Sequence, residues 1–129
     1  MPAEPRNPYQ YAVIRVVPHV ERGECINAGV VLLCRSTAFV GARTWLDEAR
    51  LRAVAPDADP ATIRPHLEAI ERVARGDPAG GPIARLPIPE RFHWLVSPAS
   101  TIIQPSPVHT GLTDDAASEL DRLFETLVR

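Results

Sequence analysis

The sequence predicts an α+β domain, an antiparallel sheet of about five strands with helices packed on it. Three observations predict it. The first apolar runs, Tyr9–Val17 and Ile26–Cys34, are short and rich in β-branched and aromatic residues. Later stretches, above all Asp59–Gly76, repeat apolar residues at helical spacing. Strands and helices come in groups, in the order β-β-β-α-α-β-β-α, and such grouping points to an antiparallel sheet. A chain of 129 residues suits one domain, 1–129, with one core.

Residues 1–8 read as a flexible, proline-punctuated lead-in, with no charged region followed by an apolar one that would make a signal peptide. The first two strands form a hairpin. Pro18 and Gly23 mark its loop, because proline has no N–H for a ladder and glycine supplies turn freedom. Centring the hairpin near Glu21 places Arg15 opposite Asn27, Val13 opposite Gly29 and Tyr11 opposite Val31. One face is then wholly apolar: Ala12, Ile14 and Val16 with Ile26, Ala28, Val30 and Leu32. The other carries Tyr9, Tyr11, Val13 and Arg15 with Asn27, Gly29 and Val31. Cys25 and Cys34 fall about 30 Å apart along one strand, too far to bridge, and read as buried free thiols.

A third strand is expected over Ala38–Trp45. Asp47 caps a short helix ending before Pro56, with Leu46 and Leu51 as a hydrophobic staple. Asp59 and Pro60 open the next helix and Gly76 closes it. Pro65 leaves two possibilities, a kink or a start near Thr62. Residues 77–90 read as a Pro/Gly-rich connection. Arg91–Ser97 is expected as a fourth strand, Ser100–Gln104 as a fifth and Ser106–Leu112 as a loop. Thr113 is expected to cap a last helix whose apolar face is Ala117, Leu120, Leu123, Phe124 and Leu127.

Composition narrows the function classes. Hydrophobic content of 45% and charge of 23% describe a folded protein. A net charge of -2 argues against broad electrostatic binding to nucleic acid, even though all 14 basic residues are arginine. No apolar run is long enough to span a membrane, so the expected location is cytoplasmic. Dinucleotide, phosphate-loop, zinc and serine-nucleophile signatures are missing, and His19, His66, His93 and His109 share no ligand spacing. Neither a metal nor a cofactor is expected.

Two groups of residues could carry chemistry. In the first, Arg15 lies mid-strand among aliphatic residues, where charge is costly unless paired. Asn27 faces it, Glu24 is close by, and Gly29 leaves a notch. This group could be an internal arginine paired with Glu21 or Glu24 to fix strand register, or a clamp for an anion or carbonyl. The second group is Trp94–Thr113, dense in hydroxyls, with Ser97, Thr101, Gln104 and His109 leading into a helix N-terminus. Such a segment could bind an anion or be an ordinary capped loop.

The segments YAVIRVVPHVERGECINAGVVL and FHWLVSPASTIIQPSPVHTGLTDD, the second followed by a leucine-rich helix, resemble the bacterial DUF3037 family, a domain of unknown function. The most specific part is Arg15, Pro18, Glu24, Asn27 and Gly29, in the pattern R-x-x-P, E-x-x-N-x-G. The resemblance covers most of the chain. It implies a small cytoplasmic protein encoded beside a kinase-like protein of the persistence-toxin type, and it carries over no catalytic residue. Two functional readings follow. One is a non-catalytic accessory or interaction module working with that kinase-like neighbour. The other is an enzyme or small-ligand binder with an anion-holding pocket at Arg15, Glu24, Asn27 and His109.

Overall fold

The structure, a computed structural model, describes residues 6–99 and 101–129. Most of the lead-in and Ser100, the expected start of the fifth strand, lie outside the described residues. The fold is the expected α+β arrangement of five antiparallel strands with helices packed on the sheet. β1 (Asn7–Val16), β2 (Ile26–Cys34) and β3 (Phe39–Thr44) run in a meander, and β1 lies at the centre. On the far side of β1 lie β4 (Ile103–Pro105) and β5 (His109–Thr113). They pair with successive parts of the same strand and act as one interrupted edge.

Ser106 closes the interruption. Its backbone N–H donates to the Val13 carbonyl at 2.8 Å, and its hydroxyl accepts from the Val13 N–H at 2.8 Å. Both polar groups of a buried strand residue are thus satisfied where the ladder breaks. Ser106→Ala keeps the first bond and orphans the Val13 N–H. The expected loss is about 1–3 kcal/mol of unfolding free energy, read from the urea midpoint.

The hairpin keeps the expected register on the loop side, with Arg15 paired to Asn27 and Val16 to Ile26, but loses it further along the strands. A bulge at Ala28 shifts the partners, so Ile14 faces Gly29, Val13 faces Val30 and Tyr11 faces Leu32. One extra residue in β2 exchanges the faces of everything beyond it. Val30 and Leu32 therefore join Tyr9 beneath α4 (Ala116–Leu127), while Val31 and Leu33 turn to the opposite face. The nearly continuous apolar run of β2 tolerates this because both faces of the strand are covered by helices.

Helices α1 (Glu48–Val54), α2 (Pro60–Arg75) and α3 (Ile88–Leu95) contribute to the layer on the face holding Ile14, Val31 and Leu33. The Asp47 carboxylate accepts from the Ala49 and Arg50 N–H groups and Asp59 accepts from Ala61, each as expected of an N-cap. Leu46 and Leu51 are both buried, as the staple requires. α2 runs unbroken from Pro60 with Pro65 inside it, and Gly76 ends it at φ 71°. Only glycine takes that conformation without steric cost.

Several expectations are corrected. Arg91–Ser97 is not a strand, since most of it belongs to α3, where Phe92 and Leu95 are buried and Trp94 is exposed. Pro87, Pro89 and Glu90 suit a helix start, and the Ile88–Phe92–Leu95 spacing is helical. The preceding connection holds two 3-10 turns, at Pro78–Gly80 and Pro82–Arg85. The expected loop at 106–112 contains most of β5, whose outer edge is unpaired and whose residues alternate little in burial. Asp115, not Thr113, caps α4. Thr113 is buried and bonds to Asp115 through its hydroxyl, and Ala117 is exposed in place of the buried Ala116. Cys34 is buried, but Cys25 lies just outside β2 and is exposed.

Candidate functional site

The two residue groups separate across the sheet. Strand pairing places Asn27, Arg15 and Gln104 side by side on the face that α4 covers in part. Two rows along β1, Tyr11 pairs with His109, and their rings are 5.2 Å apart at 35°. Ser97 and Thr101 lie on the other side, lining a cleft between α2, α3 and the 97–105 segment. Glu24 is in the hairpin loop, ion-paired with Arg22. Gly29 faces away from the Arg15 row. Its notch is filled, because a Cβ there would lie 2.9 Å from the Arg43 carbonyl oxygen and 2.9 Å from Thr44 Cγ2.

Asn27 and Arg50 close the end of α4. The Asn27 amide donates to the Leu127 carbonyl at 2.9 Å. The Arg50 guanidinium donates to the Val128 carbonyl at 2.6 Å and the Arg129 carbonyl at 3.1 Å. These are carbonyls that a helix end leaves without intrahelical partners, and a cation there also opposes the helix dipole. The polar residue that looks misplaced in an apolar strand therefore anchors the last helix.

Arg15 is different. It is half-buried, and among the described residues it has neither an ion-pairing carboxylate nor a hydrogen-bond acceptor. The register-fixing ion pair with Glu21 or Glu24 is not formed. Arg43, by contrast, is satisfied within the protein. It bonds Asp121 at 3.0 Å and lies 4.2 Å from the centre of the Phe124 ring. Under α4, burial and the Glu119 carboxylate hold the Tyr9 phenol above its ordinary pKa, and Arg122 offsets part of this. The hydrogen bond and charge of Glu119 raise Arg122 in turn.

The cleft on the other face has a volume of about 620 Å³. Ile14 and Ile103 contribute from the sheet, Ile70 and Val73 from α2, and Trp94 and Leu95 from α3. Trp94 is 51% exposed. The hydroxyls here are engaged, Ser97 donating to the His93 carbonyl at 2.7 Å and Thr101 to the Ile103 carbonyl at 2.8 Å. His66 is the titratable residue of the lining. Sequence reasoning had Trp94 in a strand and so missed the cleft. The Ile88–Phe92–Leu95 helical spacing was the signal that leaves Trp94 facing outward.

Among the described residues, no cluster of three or more His, Cys, Asp or Glu side chains could hold a metal ion. No described helix is long and apolar enough to cross a membrane. Comparison with curated proteins and with solved structures gives no match. A family model does match, over residues 11–128 and thus both the Arg15 row and the Trp94 cleft: the chain belongs to the family described as Protein of unknown function (DUF3037).

Proposed function

We propose that the protein is a non-catalytic interaction module and that the Trp94 cleft receives an apolar anchoring side chain of a protein partner. The observation that carries this reading is the chemistry of the cleft. It offers aliphatic walls and a half-exposed indole, and its Ser97 and Thr101 hydroxyls are already bonded to backbone. A concave apolar site with an exposed tryptophan suits binding by desolvation, and tryptophan is among the residues that most often dominate interface energetics. A site built to move protons or hold charge would offer unengaged polar groups converging on one point.

The first partner to test is the kinase-like protein that the family resemblance implies is encoded next door. Co-purification of the two proteins, followed by calorimetry, is expected to show association at micromolar concentration or tighter. Trp94→Ala should weaken it by at least about thirtyfold, since truncating an anchoring aromatic costs about 2 kcal/mol or more. Failure to associate well above micromolar concentration would remove that partner, and undiminished binding by Trp94→Ala would remove the cleft.

A further inference from the structure

We propose that Arg15 is an anion-binding residue, and that the row Asn27–Arg15–Gln104 receives the oxygens of a carboxylate or phosphate carried by a small molecule. The site is independent of the Trp94 cleft, which lies against the opposite face of the sheet.

The first support is the state of Arg15 among the arginines. Arg35, Arg52 and Arg85 also have no acceptor among the described residues, but all three are exposed and hydrated. Arg15 is half-buried at the centre of the sheet, so part of its hydration is already gone. A guanidinium has five N–H donors and accepts nothing, so it gains most from a planar oxyanion that takes two of them at once. Partial removal from water also makes that attraction stronger than at an exposed arginine.

The second support is the composition of the row. Asn27 spends one amide hydrogen on the Leu127 carbonyl, and Gln104 spends one on the Thr101 carbonyl at 2.8 Å. Each amide nitrogen carries a second hydrogen. The row therefore pairs one cation with two held amides, and Asn27 and Gln104 flank Arg15 from the two neighbouring strands. The obvious internal competitor for Arg15 is the carbonyl end of α4. There the Leu127 carbonyl accepts from Asn27, and the Val128 and Arg129 carbonyls just beyond the helix accept from Arg50. Glu24 is likewise occupied by Arg22.

The test is an NMR titration of the folded protein at low ionic strength, with inorganic phosphate in one series, succinate in another and sodium chloride as control. Saturable shifts are expected at the Arg15 Nε–H and at the Asn27 and Gln104 side-chain amides, and the tighter probe identifies which oxyanion the row prefers. Arg15→Gln is expected to weaken binding roughly tenfold or more, as loss of a charge-assisted bidentate pair does. Arg35→Gln should leave it unchanged. Absence of saturation with both probes overturns the proposal, as do shifts that chloride reproduces or that persist in Arg15→Gln. If Arg15→Gln fails to fold, Gln104→Ala replaces it. A several-fold loss then supports the site and unchanged affinity overturns it.

Discussion

Phe92→Ala is expected to lower the unfolding free energy by about 3–5 kcal/mol, while Trp94→Ala, two residues along, costs only about 1–1.5 kcal/mol. Phe92 is fully buried and packs with Val31, Leu33, Val73, Ala74 and Leu95 between α2, α3 and the sheet. Removing its ring leaves a cavity that the surrounding helices and sheet close only in part. Trp94 is 51% exposed, so its loss gives up only about half of the side chain's area and leaves no enclosed cavity. The pair also decides between a strand and a helix over this segment. In a strand, residues 92 and 94 share a face and would respond alike. In a helix they point about 160° apart. Urea unfolding of the two variants reads both points, and equal losses would contradict α3.

Gly29→Ala is expected to cost about 1–3 kcal/mol, the usual penalty for forcing an added methyl into a filled space. The new Cβ would lie 2.9 Å from the Arg43 carbonyl oxygen, 2.9 Å from Thr44 Cγ2 and 3.4 Å from Ile14 Cβ. The first of these is backbone of the neighbouring strand, so relief requires β3 to move. Thr44 has little freedom to yield, because its backbone N–H and hydroxyl both donate to Glu71 of α2 at 2.8 Å. An open notch beside Arg15 would instead accept the methyl without loss. An unchanged thermal midpoint for Gly29→Ala would therefore return Gly29 to the candidate site.

Much of the site was legible, and the misses have physical causes. Arg15 and Asn27 stood out because charge and amide are costly in an apolar strand, and their pairing lies on the hairpin side of the bulge, where simple counting holds. Gly29 lies just past the bulge, so the same counting put it on the wrong face. Gln104 and His109 were named in a hydroxyl-rich segment, Gln104 at the end of an expected short strand and His109 also as a member of a pocket with Arg15. Their place on the Arg15 face comes from β4 and β5 pairing with β1, across about ninety residues of chain. Ser106 drew notice only as one of several hydroxyls, because its value lies in meeting Val13 and not in its neighbours.

The sequence by itself determined the fold class, the first three strands, the caps at Asp47, Asp59 and Gly76, and the amphipathic face of α4. Each of these depends on residues near one another in the chain, through side-chain period, backbone conformation or short-range hydrogen bonds. Tertiary structure alone decided the bulge at Ala28 and the pairing of β5. There, local preference is nearly balanced, and long-range packing chooses which face a side chain takes. It also set the geometry of the two candidate sites, by capping α4 with Asn27, pairing Glu24 with Arg22, leaving Arg15 without an acceptor among the described residues and opening an apolar cleft at Trp94 on the opposite face.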